Sequence, residues 1–96
     1  MKRTYHEDLI KDLTNPDYAL VYLNTALEQK DMPSVFLLAL KNVVEAYGVT
    51  KLSKKTKLNR VNMYRMLSKS GNPELKSLQK ILDSLNLKIV LDKKAA

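Results

Sequence analysis

The stretch from Thr50 to Leu67 leaves this chain few choices of fold. Thr50 can cap a short helix running to about Thr56, and Asn59 can cap another running to about Ser68. Only Lys57 and Leu58 lie between them. With Leu52, Leu58, Met63, Met66 and Leu67 on the inner side, two short helices joined so tightly have the spacing of a helix-turn-helix over about residues 50–68. Ser53 is small and stands where the two helices must approach closely.

The flanking sequence supplies the helices such a unit needs for a core. At Asn15-Pro16-Asp17 a side-chain cap, a Pro at the first helical position and an acid near the positive dipole end mark a helix start. Ala19, Tyr22, Leu23, Ala26 and Leu27 follow as a one-faced stripe, so this helix should end near Gln29 or Lys30. Asp31-Met32-Pro33 punctuates, and Phe36, Ala39, Leu40, Val43, Val44 and Tyr47 keep a helical period. Leu37 and Leu38 widen that stripe, which predicts the most buried helix, with Gly48 as its left-handed stop. After the loop Ser70-Gly71-Asn72-Pro73, a last helix should face Leu75, Leu78, Ile81, Leu82 and Leu85 inward and end at Asn86.

Two segments fall outside that pattern. Residues 1–15 are polar without a sustained period and read as a flexible N-terminal arm. Leu87-Lys88-Ile89-Val90-Leu91 reads as a short strand, whose backbone needs a partner: the arm, a second copy, or another protein.

Composition narrows the chemistry. The chain has 96 residues and no cysteine, which excludes disulfides, iron–sulfur clusters and zinc–thiolate sites. Its only histidine, His6, excludes a multi-histidine metal site, and two glycines cannot build a phosphate-cradling loop. No apolar run reaches the roughly 18 residues of a membrane span, and the N-terminus lacks a signal-peptide core. The expected setting is the cytoplasm, with no cofactor and no membrane partner. His6 has no nucleophile or orienting acid placed beside it, and Glu7, Asp8 and Asp12 lie in a polar segment without burial to tune a pKa, so no enzyme is expected.

Charge is distributed unevenly. Residues 1–48 hold five Lys/Arg against seven Asp/Glu, a balance of −2, whereas residues 49–96 hold twelve against three, a balance of +9. Between Thr50 and Ser70 there are seven basic residues and no acidic one. Lysines on a small domain are ordinarily a solvated face, but a run this free of acids points to a polyanion, nucleic acid first and a membrane surface second.

In a helix-turn-helix the second helix enters the major groove and presents its N-terminal residues to base edges. With Met63, Met66 and Leu67 inward, the outward set is Arg60, Val61, Asn62, Tyr64 and Arg65. Arg can grip guanine and Asn adenine in bidentate fashion, which makes Arg60, Asn62 and Arg65 the base readers, with Val61 and Tyr64 in support. Thr50, Lys51, Lys57, Asn59 and Lys69 flank that helix and suit phosphate contacts, helped by backbone N–H groups near Thr50 and Asn59.

The order of elements and several strings resemble the addiction-module antidote proteins, HigA-like antitoxins with a helix-turn-helix of the phage-repressor (Xre/Cro) type. The strings are Tyr22-Leu23-Asn24 with Ala26-Leu27-Glu28, Phe36-Leu37-Leu38-Ala39-Leu40, Leu58 through Leu67 with its Tyr64-Arg65, Gly71-Asn72-Pro73, and Leu85-Asn86-Leu87. They cover roughly residues 18–91. Lys57 departs from the pattern, since the family usually has Gly there; the turn must adjust or absorb about 1 kcal/mol. The resemblance implies an all-α, five-helix, phage-repressor-like helix-turn-helix domain over residues 16–96, with a short C-terminal β-strand at about 87–91. It also implies an antitoxin that neutralises a RelE/HigB-type mRNA-endonuclease toxin and represses its own operon, nucleoid-associated when on DNA.

The partners expected are double-stranded operator DNA, a basic cognate toxin facing the acidic residues 1–30, and a second copy of the chain. Two alternatives remain open to the sequence. One is a phage-type transcriptional regulator without a toxin. The other is the toxin itself, against which stand five helical segments and a single strand, where such nucleases are built on an antiparallel sheet.

Overall fold

The structure is a computed structural model that describes residues 4–29 and 33–95. These residues form six α-helices: α1 (Tyr5–Asp12), α2 (Pro16–Leu27), α3 (Pro33–Tyr47), α4 (Val49–Thr56), α5 (Arg60–Met66) and α6 (Leu75–Ser84). There is no strand among them. The described residues are thus all-helical, with one helix more than expected and without the C-terminal strand.

The caps that begin α2 and α5 are those the residue types dictate. Asn15 Oδ1 accepts from the Asp17 and Tyr18 N–H groups, and Asn59 Oδ1 accepts from those of Val61 and Asn62. Thr50 does not cap α4. Only Gly48, at φ +116°, separates α3 from α4, so α4 already begins at Val49 and Thr50 lies inside its first turn. At the other end of the domain, the Asn86 N–H reaches the Asp83 carbonyl and the Leu87 N–H the Leu82 carbonyl. With Asn86 at φ 60°, this closes α6 as a Schellman motif.

The core lies between α3, α4, α5 and α6. Leu40, Val44, Leu52, Met63, Leu67 and Ile81 are its fully buried side chains. α3 is central: α1, α2 and α4 all pack on it, and it buries Leu37, Ala39, Leu40, Val43 and Val44. Leu38, expected to widen the buried stripe, is exposed, as are Leu27 on α2 and Leu75 at the start of α6. Asn42 Nδ2 donates to the Tyr22 hydroxyl and ties α2 to α3 at half-buried positions.

The reading of residues 1–15 as a flexible arm is corrected for the residues described; residues 1–3 lie outside them. Thr4 Oγ1 caps α1 by accepting from the Glu7 N–H, and Glu7 and Asp8 sit at its positive dipole end. Leu9 packs against the core, and His6 Nε2 meets Glu45 Oε2 of α3 at 3.1 Å. The punctuation at Asp31-Met32 and the helix end at Lys30 also fall outside the described residues. The strand expected at Leu87–Leu91 is corrected too. Leu87 is half-buried against the core, but beyond it the chain is exposed and no described segment offers a ladder.

The joint between α4 and α5 is fixed by two hydroxyls. Thr56 is buried; its Oγ1 donates to the Leu52 carbonyl and accepts from the Leu58 N–H at 3.2 Å. Ser53 Oγ donates to the Leu58 carbonyl at 2.6 Å. Both backbone groups of Leu58 are therefore held by α4, which forces Lys57 into the left-handed region at φ 60°. The turn keeps the shape a glycine would favour and absorbs the strain of a side chain.

Two melting experiments follow from this joint. Thr56→Val keeps the shape but orphans the Leu58 N–H, and should destabilise by about 1–3 kcal/mol. Lys57→Gly should stabilise by about 0.5–1 kcal/mol, raising Tm by about 2–8 °C. A neutral Thr56→Val or a destabilising Lys57→Gly would contradict the described turn.

Candidate nucleic-acid interface

α4 and α5 share one buried seam. Leu52 of α4 and Met63 of α5, with Leu67 just beyond, are almost wholly removed from solvent, while Leu58 and Met66 are half-buried at its edges. Their burial turns the opposite side of α5 outward. Arg60, Val61, Asn62 and Arg65 are all exposed there, Val61 at 64%. These four side chains project from the first turns of a helix whose axis is locked by the Leu58 clamp.

Tyr64 does not join that outward set. It is half-buried, lines a cleft with Leu38, Lys41 and Glu45 of α3, and has Lys41 Nζ 5.9 Å from its ring centroid. One helix position after Met63, it turns toward α3 rather than away from the domain. Lys41 was not visible as a site residue, because nothing local in α3 reports which later helix it will face.

Of the residues expected to flank α5, Thr50, Lys51, Lys57, Asn59 and Lys69 are all exposed. Asn59 has a prior commitment: its side-chain oxygen already takes the Val61 and Asn62 N–H groups. The start of α5 therefore has fewer free donors for an anion than its sequence promised. At the start of α4 the Gly48 cap makes no side-chain hydrogen bond, so that helix end keeps its donors.

The electrostatics of this face are one-signed. Among the described residues, Lys51, Lys54, Lys55, Lys57, Arg60, Arg65 and Lys69 have no carboxylate within ion-pair distance. The ion pairs seen lie elsewhere, with Glu45 meeting His6 at 3.1 Å and Lys41 at 3.9 Å. Charge without a close counter-charge attracts a polyanion and steers it at long range. The opposite character appears on α1 and α2, where Glu7, Asp8, Asp12, Asp17 and Glu28 stand among the exposed apolar side chains Tyr5, Tyr18 and Val21.

No group of three or more metal-ligating side chains occurs among the described residues, and no helix is long and apolar enough to cross a membrane. His6 does have an acid beside it, Glu45, which lies 39 positions away in sequence, beyond the reach of any local pattern. In that pair, which joins α1 to α3, His6 is exposed and Glu45 half-buried.

Comparison with known proteins adds what geometry leaves open. A family model described as probable addiction module antidote protein matches residues 4–93. An uncharacterized protein of Haemophilus influenzae is 30% identical over 80 residues, spanning 83% of this chain and 81% of its own length. No solved structure matches. An addiction-module antidote is the regulatory counterpart of a toxin, so this match assigns an antitoxin role and implies a toxin as partner. With nearly its whole length covered, the chain belongs to the family of probable addiction module antidote proteins.

Proposed function

We propose that this antitoxin binds double-stranded DNA through α4 and α5, which act as a helix-turn-helix of the Xre/Cro, HigA-like type. The observation that carries this reading is the exposed, acid-free surface formed by Arg60, Val61, Asn62 and Arg65 with the flanking lysines. Arg60, Asn62 and Arg65 read base edges in the major groove, and Val61 packs on a thymine methyl. Tyr64, turned toward α3, is left with a contact at the rim. Thr50, Lys51, Lys57, Asn59 and Lys69 hold the phosphates that set the register.

One such unit spans too few base pairs for tight specific binding, so the protein works as a homodimer on an inverted repeat. The repeat lies upstream of its own operon, which the dimer represses while residing with the nucleoid in the cytoplasm. The toxin is a basic, RelE/HigB-type mRNA endonuclease, and the acidic α1–α2 side is the face it meets. A phage-type regulator without a toxin would share the DNA-binding surface; membership in the antidote family favours the antitoxin.

Gel shifts on the upstream DNA test the first claim. Arg65→Ala should weaken that site by about 1–3 kcal/mol while sparing scrambled DNA. Equal loss on both would assign Arg65 to phosphate, and a wild type indifferent to sequence at about 150 mM salt would overturn the reading. Removal of residues 1–12, which spares the buried Leu13, tests the toxin face. Neutralisation should fall while DNA binding persists; undiminished neutralisation would remove α1 from that face.

A further inference from the structure

We propose that Tyr47, Lys51 and Lys55 form a second grip on the DNA backbone, in which Tyr47 holds two ammonium groups ready for one phosphodiester beside the segment met by α5. The proposal rests on the DNA-binding reading above and adds Tyr47 and Lys55 to it, two residues that the basic run alone did not single out.

Lys51 and Lys55 are one helical turn apart on α4, a spacing at which like charges repel. Here both converge on one ring. Lys51 Nζ lies 5.0 Å from the centroid of Tyr47, within cation–π range. Lys55 Nζ donates to the Tyr47 hydroxyl. At 5.1 Å from the centroid while bonded to that oxygen, it lies beyond the end of the ring rather than over its face. The two ammoniums are thus held by different parts of the same side chain.

Backbone geometry fixes the ring. Tyr47 is the last residue of α3, half-buried, and Gly48 alone joins it to α4. A Cβ on Gly48 would stand 3.7 Å from Lys51 Cβ and 4.0 Å from Lys51 Cε, so the Lys51 stem folds back alongside this glycine. Among the described residues no carboxylate lies within ion-pair distance of either lysine; Asp17, at the start of α2, lines a cleft shared with Tyr47 and Lys51.

Two positive charges held together without a counter-charge are a pre-organised anion site. Their side chains have given up rotamer freedom before any ligand arrives, which lowers the cost of binding. A phosphodiester has two free oxygens and can accept from both ammoniums; Lys55 keeps N–H groups beyond the one given to Tyr47. A DNA phosphate suits this position better than an acidic side chain of a protein. The site is continuous, through α4 and its turn, with the acid-free surface of Lys57 and Arg60, and acidic docking residues on a basic toxin would be the exception.

The salt dependence of DNA binding by the full chain tests this, measured on a duplex from directly upstream of its reading frame and on a scrambled duplex. Lys51→Gln with Lys55→Gln, which gives up that one phosphate, should flatten the slope of log K against log salt by about 1 on both duplexes. Tyr47→Phe, which removes only the hydroxyl, should free Lys55 and flatten it by less than the double variant, and Tyr47→Leu should approach the double lysine variant. If the double variant keeps the wild-type slope on DNA that the wild type binds, the grip is wrong and the DNA-binding reading stands. If that variant instead loses only toxin binding, the lysines belong to a protein contact and the proposal falls. If the wild type binds neither duplex in a salt-dependent way, the DNA-binding reading fails and takes the grip with it.

Discussion

Leu58 is the residue on which the functional half of the molecule turns. Its N–H is taken by the Thr56 hydroxyl and its carbonyl by that of Ser53, both from the helix just completed. A backbone unit held at both ends cannot swing, so the direction in which α5 leaves the turn is set by α4. The left-handed strain at Lys57 is the consequence, tolerated because two hydrogen bonds and the Leu52–Met63 seam over-determine the turn. Glycine would relax that strain, but lysine adds a charge at the tip of the surface facing outward. A lysine kept in a glycine's conformation fits a turn that also touches an anion.

The same architecture distributes two chemistries over different elements. α1, α2 and α4 all pack on α3, and where α2 and α4 meet, Asp17 and Lys51 line one cleft. The acids of α1 and α2 and the bases of α4 and α5 are the surfaces for which different partners are proposed. The balance of −2 against +9 along the sequence is the one-dimensional trace of this arrangement. An antitoxin has to answer a toxin, and the proposed DNA-binding role asks for another surface left free. A small domain meets both needs when its core helix carries opposite charges on the elements around it.

Much of this was legible locally. Asn15-Pro16, Pro33, Gly48, Asn59 and Asn86 each mark a helix end through their own backbone chemistry, and α2, α3, α5 and α6 begin or stop there. What escaped depends on residues far apart. α1 has no fully buried side chain and only a short apolar pair, Leu9-Ile10; its fixed place comes from Thr4 and from Glu45 across 39 positions. Leu87–Leu91 has the composition of a strand, but β-propensity expresses itself only against a partner, and the Schellman closure at Asn86 directs only Leu87 to the core. Tyr64 looked outward by helical count, whereas α3 offers it Leu38 and Lys41. The candidate base-reading set thus contracts to Arg60, Val61, Asn62 and Arg65, and Tyr47 and Lys41 emerge from packing alone.

We propose that α4 and α5 meet DNA while α1 and α2 meet the toxin. Amide-resolved NMR of the full chain, titrated first with its upstream duplex and then with toxin, examines both faces at once. DNA should shift the amides of residues 49–69 and leave those of residues 4–28 in place, and toxin should then move the second group. DNA-induced shifts concentrated on α1 and α2, or toxin-induced shifts confined to α4 and α5, would contradict it.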